Sequence, residues 1–146
     1  MTASSSPCTF CRIIADDDPD VLVYAAAQVV GFLDTRPVFH GHVLLVPREH
    51  YVTLVDLPAA LAEPLQTATQ VTMRALERAV DAEGAFVASN NVVSQSVPHL
   101  HWHVVPRRRR DGLRGFFWPR HPYPDEAALR DMRRRVRSAV QAVQGA

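Results

Sequence analysis

The chain has 146 residues, of which 47% are apolar and 21% charged, and its formal net charge is +1. The length suits one domain, and this composition excludes a fibrous or disordered chain. No apolar run approaches the roughly 18 residues that cross a bilayer, and the start MTASSSP lacks the basic and apolar parts of a signal peptide. We therefore expect a soluble, cytoplasmic protein without a nucleic-acid or membrane partner.

The first part of the chain predicts a loose tail followed by a meander of strands. Residues 1–7 are small and polar, which indicates a disordered tail. The segments 21–24 and 28–34 are rich in β-branched and aromatic residues and predict two antiparallel strands. A loop with Pro and Gly over 35–42 leads into an apolar strand at 42–47.

The middle of the chain predicts a long helix and two further strands. Apolar residues recur at steps of three and four from Leu57 to Ala79, with Asp56 as a candidate N-cap. Pro64 is expected to interrupt or restart this helix. The segments 85–90 and 99–105 then predict a fourth and a fifth strand.

A last helix is predicted to start near Asp125, with an apolar stripe and an arginine-rich later part. The expected fold is α+β, with a five-stranded antiparallel sheet, a long helix packed on it and a C-terminal helix. We expect the main domain over residues 8–110 and an extension with an aromatic loop and a helix over 111–146.

The segment PHLHWHVVP places histidines at every second position, His99, His101 and His103. A strand points alternate side chains to one face, so the three imidazoles would share a surface. Three successive positions of this kind do not converge easily on one metal ion, which favours divided tasks. A single strand histidine is most often a satisfied or exposed residue, but three at period two argue against that explanation.

Cys8 and Cys11 have CxxC spacing and supply half of a tetrahedral zinc site, which histidines commonly complete. The alternatives are two free thiols or a redox pair. A thioredoxin-like CxxC usually opens a helix after a strand in a βαβ unit, and we expect that context to be missing here.

Several motifs together resemble the histidine triad (HIT) superfamily. HLHWHVV is similar to its His-φ-His-φ-His-φ-φ motif, with φ apolar, and SQSVP precedes it as a GQ(S/T)V-type turn does in the family. CTFCRII and GFLDTRPVFHGHVLLVPREH resemble the family's cysteine-pair segment and its strand, loop and strand. The resemblance spans residues 8–106. It implies a homodimer that binds nucleotides and hydrolyses or transfers them at phosphorus.

The resemblance implies distinct catalytic roles. His101 would be the nucleophile that takes the nucleotidyl group, and His103 would contact the α-phosphate. Ser96 would help the leaving group depart, and backbone N–H groups near Ser96 and Val97 would stabilise negative charge. His42 would support the triad from a neighbouring strand.

The resemblance also implies substrate contacts for a purine nucleotide of adenosine type. Asp34 would bind the ribose hydroxyls, although a turn residue is the alternative, and the candidates for the base slot are equally explained by core packing. The link between Asn90 or Asn91 and the triad is about two residues shorter than usual and lacks the family's glycines, which leaves the asparagine's role open. The implied contact residues are Asp34, Asn90, Asn91, Ile13, Phe32, Leu33, Gln95 and Val97.

Zinc-bearing branches of the family imply a structural Zn²⁺ held by Cys8, Cys11, His50 and His99. This set would relieve His99 of direct chemistry and clamp the amino terminus onto the catalytic strand.

Two later segments each have a functional and a purely structural explanation. Arg107–Arg110 would draw polyphosphate toward the site or simply be solvated. Phe116, Phe117 and Trp118 would shape substrate choice across a dimer or plug an interface. The sequence thus predicts a nucleotide hydrolase or nucleotidyltransferase, against a zinc-stabilised nucleotide-binding module with little catalysis or a redox protein.

Overall fold

The computed structural model describes residues 7–114 and 119–146. The tail prediction for residues 1–6 and the aromatic residues 116–118 lie outside this part of the chain. Two 3-10 turns, Leu54–Asp56 and Ala59–Leu61, precede the long helix. The helices and strands in chain order are α1 (Thr9–Asp16), β1 (Leu22–Ala25), β2 (Val29–Leu33), β3 (Val43–Pro47), α2 (Ala62–Val80), β4 (Gly84–Ala88), β5 (Trp102–Arg107) and α3 (Glu126–Gln144).

The five strands form one antiparallel sheet in the order β1-β2-β3-β5-β4. The predicted α+β fold, with five antiparallel strands, a long helix packed on the sheet and a C-terminal helix, is confirmed. In the centre of the sheet Leu44 of β3 lies opposite His103 of β5. Since paired residues share a face, His103 points to the same side of the sheet as Leu44.

The two faces of the sheet pack against different helices. Alternation along β2 sends Val29 to the α2 face and Val30 to the α1 face, and both side chains are buried. Burying one such side chain contributes about 1.5–3 kcal/mol. The α2 face buries Val29, Val43, Leu45, Val104, Leu65, Ala68 and Leu76. The α1 face buries Val30, Phe32, Leu44 and Val46 around Phe10.

The long helix begins later than predicted, at Ala62. Asp56 instead closes the first 3-10 turn, where its carboxylate accepts hydrogen bonds from the backbone N–H and the hydroxyl of Thr53, at 2.9 and 2.8 Å. Pro64 consequently lies in the first turn of α2, where backbone N–H groups have no helical acceptor. It therefore marks the start of the helix and does not interrupt it.

The structure corrects the sequence expectations in two segments, residues 9–16 and residues 99–101. Residues 9–16 form the helix α1, which the sequence did not predict. The fifth strand starts at Trp102 instead of residue 99, because the backbone N–H of Leu100 donates to the carbonyl of Tyr51, at 2.7 Å. His99 and His101 therefore precede the strand, and only His103 lies on it.

The chain divides into two compact units, with the boundary in the sequence between Asp111 and Gly112. In the second unit Asp125 caps α3, since its carboxylate accepts from the backbone N–H of Ala128, at 2.7 Å. Among the residues described, none of the helices is long and apolar enough to cross a membrane.

Candidate active site and metal centre

The two cysteines and two of the histidines converge on one point. Cys8 is the N-cap of α1 and Cys11 lies in its first turn, whereas His50 follows β3 and His99 precedes β5. The Nδ1 atom of His99 lies 3.6 Å from both sulfur atoms, and Nδ1 of His50 lies 3.2 Å from Sγ of Cys11. All four potential ligand atoms lie within 4.8 Å of one another. The arrangement brings together residues up to 91 positions apart.

The orientation of His99 suits a metal ligand. Its Nε2 lies 2.9 Å from the carbonyl oxygen of Pro47. A carbonyl only accepts, so Nε2 carries the hydrogen and Nδ1 turns its lone pair to the cysteines. Burial lowers the pKa of His99, which keeps the ring neutral. A ligand imidazole whose other nitrogen donates to a carbonyl is the usual arrangement in metal sites.

The donor set, two thiols and two imidazoles, is one that Zn²⁺ binds in closed tetrahedral sites. Burial and the neighbouring Cys8 raise the pKa of the Cys11 thiol. A bound cation would counter this by favouring the thiolate, and it would supply structural cross-linking between α1 and the triad segment.

Nδ1 of His101 is hydrogen-bonded to the backbone, and Nε2 has no hydrogen-bond partner among the described residues. Its Nδ1 lies 2.7 Å from the carbonyl oxygen of His99, so Nδ1 carries the hydrogen and Nε2 keeps a lone pair. The side chain is buried, and the Phe10 ring stands edge-on to it, at 5.1 Å between centroids and 88° between planes. This tautomer is the one that a nucleophilic Nε2 requires.

A chain of hydrogen bonds fixes the tautomer of His103 in turn. The backbone N–H of Val38 donates to Nδ1 of His42, at 3.2 Å, so the hydrogen of His42 is on Nε2. That Nε2–H donates to Nδ1 of His103, at 2.9 Å, which leaves His103 with an Nε2–H donor. Burial, followed by the nearby His101 and His42, lowers the pKa of His103 to about 4. His103 is therefore neutral near pH 7 and donates through Nε2.

The glycine before His42 is needed for the turn into β3. Gly41 has φ +97°, and a side chain there would lie 3.3 Å from Leu76 of α2. Glycine adopts this conformation without strain.

Asp34 lies beside this chain of hydrogen bonds. One oxygen of its carboxylate accepts from the backbone N–H of Arg36, at 2.9 Å, and the other lies 3.8 Å from Nδ1 of His42. One potential ligand atom from each of Asp34, His42 and His103 lies within 4.8 Å of the others, which is close enough for a metal site. The Nδ1 atoms of both histidines, however, already accept hydrogen bonds from Val38 and His42. We therefore assign this group to hydrogen bonding.

Of the polar residues expected to contact substrate in the turn before the triad, two make hydrogen bonds within the protein and two are exposed. The side-chain carbonyl of Asn91 accepts from the backbone N–H of Leu54, at 2.7 Å. The amide of Gln95 accepts from Val92 and donates to the carbonyl of Val52. Asn91 and Gln95 thus hold the turn in place, whereas Asn90 and Ser96 are exposed to solvent.

Two residues of this turn that are not glycine adopt positive φ angles. Val92 has φ 68° and Ser94 has φ 60°. A β-branched residue in this left-handed region is an outlier.

Of the apolar residues expected around the base, the structure brings three together and separates one. Ile13 and Val97 pack against the cluster that contains Phe32. Leu33 follows Phe32 on the strand and points to the opposite face, where it lines a cavity of about 360 Å³ under α2. Leu33 therefore does not join the histidines.

Sequence reasoning missed Phe10 and the backbone N–H of Val38. The only signal for Phe10 is its position between the two cysteines, and backbone donors leave no signal in a sequence.

The family model described as HIT domain matches residues 15–110. The chain belongs to the HIT family. The prediction from the triad and its flanking motifs is confirmed.

Three HIT proteins illustrate the similarity. The chain is 32% identical over 108 residues to the adenylylsulfatase HINT3 of Arabidopsis thaliana, which covers 73% of this chain but only 55% of that protein. It is 32% identical over 122 residues to the adenosine 5'-monophosphoramidase hnt1 of Schizosaccharomyces pombe, covering 82% and 88% of the two chains. The crystal structure of a Zn-bound histidine triad family protein from Mycobacterium smegmatis is 34% identical, with a TM-score of 0.68 and coverage of 91% and 97%.

These HIT relatives include nucleotide hydrolases of more than one kind. The zinc-bound relative and the four-residue Cys and His cluster of this chain agree in pointing to a zinc centre.

Proposed function

We propose that this HIT protein is a hydrolase or nucleotidyltransferase that acts at the α-phosphorus of a nucleoside phosphoramidate or dinucleoside polyphosphate through His101. The observation that carries the proposal is the complementary pair of tautomers. His101 offers an Nε2 lone pair, and the neighbouring His103, with its ring centroid 5.0 Å away, offers an Nε2–H donor. Attack at phosphorus requires a nucleophile and is assisted by a hydrogen-bond donor to a phosphate oxygen.

In the proposed reaction Nε2 of His101 forms a bond to phosphorus, and the bond from phosphorus to the leaving group breaks. Water then attacks the nucleotidyl-histidine, and the N–P electron pair returns to Nε2. The net reaction adds the hydroxide of one water to phosphorus and its proton to the leaving group. His103 donates to a phosphate oxygen in both steps, and its low pKa keeps the ring neutral at pH 7. The exposed Ser96 hydroxyl donates toward the leaving group.

The other proposed substrate contacts are two polar residues and three apolar ones. The carboxylate of Asp34 is partly exposed and has acceptor capacity for ribose hydroxyls. Asn90 is the asparagine proposed to meet the substrate, because Asn91 is engaged with Leu54. Ile13, Phe32 and Val97 form the proposed wall of the base slot. The relatives named for adenosine compounds support a purine of adenosine type.

We further propose a structural Zn²⁺ on Cys8, Cys11, His50 and His99, supported by the donor set and its geometry. A homodimer is proposed from the resemblance to the family, and light scattering coupled to size-exclusion chromatography measures it. A measured mass equal to that of a single subunit would contradict the dimer.

The test of the proposed function is His101→Ala, assayed with adenosine 5'-phosphoramidate, diadenosine polyphosphates and adenylyl sulfate. Loss of the nucleophile is expected to lower kcat by at least about 10³-fold, as removal of a covalent catalyst does, while nucleotide Kd changes little. Mass spectrometry of the quenched wild-type reaction is expected to show a nucleotidyl adduct that His101→Ala lacks.

The matched control is His40→Ala, because His40 is an exposed histidine in the same unit. Undiminished turnover in His101→Ala would exclude the mechanism. Nucleotide binding by the wild type without turnover of any substrate would instead identify a binding module. This alternative is favoured by Asn91 and Gln95, whose side chains are hydrogen-bonded to the backbone of the protein.

A further inference from the structure

Phe10, which lies between the two cysteines of the candidate metal cluster, and His99, a member of that cluster, both contact the proposed nucleophile His101. Phe10 lies between Cys8 and Cys11 in the first turn of α1, and its ring stands edge-on to the ring of His101. His99 supplies the carbonyl oxygen that accepts from Nδ1 of His101, at 2.7 Å. The metal centre and the nucleophile are thus joined by a backbone contact and a side-chain contact.

The ring of His101 is enclosed on two sides. Phe10 lies 5.1 Å from it, at 88°, and His103 lies 5.0 Å from it, at 64°. A half-turn of the imidazole about its Cβ–Cγ bond would replace Nδ1–H with a carbon and break the bond to the His99 carbonyl. It would also turn Nε2 away from its present direction. The neighbouring rings therefore restrict the motion that would disable the nucleophile.

Phe10 is itself held from two directions. Its ring packs against Phe32, at 5.2 Å, and it is only 6% exposed. Its helix α1 has eight residues, a length that is not stable in isolation. The first turn of this helix is fixed by the approach of the cysteines to His50 and His99.

We propose that Phe10 is a positioning residue for His101. Because the Cys and His cluster fixes the first turn of α1, it fixes the Phe10 ring, and this ring in turn holds the imidazole that attacks phosphorus. This inference rests on the proposed function of His101. It adds a role to a side chain that is otherwise part of the core beneath α1. Phe10 acts through His101 and forms no bond with the reacting atoms.

The test compares Phe10→Leu with Val30→Ala in zinc-loaded protein whose metal content is verified by mass spectrometry. Val30 is the matched control, because it is fully buried in the same cluster as Phe10. The first readout is the ¹⁵N NMR spectrum of histidine side chains, which reports the tautomer and the Nδ1–H of His101 without any substrate. The second is kcat and KM, measured separately.

The expected result for Phe10→Leu is full zinc content, a weakened or broadened Nδ1–H signal of His101 and a kcat lower by about tenfold with KM little changed. This magnitude follows from the strength of an edge-to-face ring contact. Val30→Ala is expected to lose stability while the Nδ1–H signal and kcat remain.

Two outcomes would overturn the proposal. One is an unchanged signal and kcat in Phe10→Leu, including the case in which only KM rises, since Phe10 would then serve substrate binding alone. The other is an equal change in Val30→Ala, which would reflect general loosening of the core. If the wild type turns over no substrate, the proposed function fails, and the NMR comparison still decides whether Phe10 positions His101.

Discussion

The Nε2 atom of His42 lies 2.9 Å from Nδ1 of His103. The direction of this hydrogen bond is set by Val38, whose backbone N–H occupies the other nitrogen of His42. The backbone of the loop before β3 thereby determines which nitrogen of His103 carries the hydrogen. The proposed phosphate contact depends on that choice.

Replacing His42 is expected to weaken catalysis without removing a group that meets the substrate. In His42→Leu the Nδ1 of His103 loses its donor, and the other tautomer becomes accessible. We expect kcat/KM to fall by about tenfold or more, and the free energy of unfolding to drop by about 1–3 kcal/mol, the usual cost of an unsatisfied buried acceptor. Enzyme kinetics and urea unfolding measure the two effects. The control is His42→Gln, whose amide N–H can replace the lost donor in part. Equal activity of His42→Leu and the wild type would contradict the role of the hydrogen bond from His42 to His103.

The stability of the fold is expected to decrease on mild acidification. The pKa of His103 is about 4 in the folded state, whereas an unfolded histidine titrates near 6.5. Between these values the unfolded chain binds more protons, so the free energy of unfolding rises with pH. The stabilisation from neutral His103 is complete above about pH 6.5 and is lost as the pH falls toward about 4.

Urea unfolding at pH 7.5, 6 and 5 measures this slope, and the comparison with His103→Gln isolates the contribution of His103. The burial of His42 and His99 lowers their pKa values in the same direction, so a part of the slope should persist in the variant. A wild-type slope no steeper than that of His103→Gln would contradict the assignment.

Removal of the metal is expected to destabilise the protein. Zinc at about 100 times its Kd stabilises the state that binds it by about 2.7 kcal/mol, which corresponds to roughly 5–10 °C in Tm. Metal analysis of protein purified without added zinc, and thermal unfolding with and without a chelator, provide the measurement. Cys8→Ser/Cys11→Ser should lack both metal and the shift, while Thr9→Ala, an exposed position in the same turn, should keep them. A double variant with full metal content and an unchanged Tm would defeat the zinc proposal.

The strained turn offers a substitution that should stabilise the fold. Val92 is 75% exposed and has φ 68°, so Val92→Gly relieves backbone strain and removes little packing. The left-handed conformation costs about 1–2 kcal/mol for an L-residue, and the greater freedom of glycine in the unfolded chain offsets about half of this. We expect the free energy of unfolding to rise by about 0.5–1 kcal/mol in urea titrations. Val93→Gly is the control at an equally exposed neighbour, and a loss of stability in Val92→Gly equal to that in Val93→Gly would show that the turn is not strained.

Local sequence patterns predicted the strands well, because the β-branched and apolar residues that fill β2 and β3, both buried along almost their whole length, are visible in the sequence. They failed where a distant partner decides the local structure. The start of β5 shifted because Leu100 pairs with Tyr51, and α1 was missed because its eight residues depend on contacts with His50 and His99. The base-slot expectation for Leu33 conflicts with a local rule instead, since neighbouring strand residues point to opposite faces and Leu33 therefore cannot share a face with Phe32.

The sequence by itself determined the family and the five-stranded α+β fold and pointed to the two candidate sites, because the period-two histidines and the CxxC spacing are visible in the linear chain. Only the tertiary structure decided how the imidazoles differ. Each hydrogen position follows from a partner oxygen or N–H group, and for His99 that partner is the carbonyl of Pro47, 52 residues away. The fold therefore turns three similar side chains into a candidate metal ligand, a candidate nucleophile and a candidate donor.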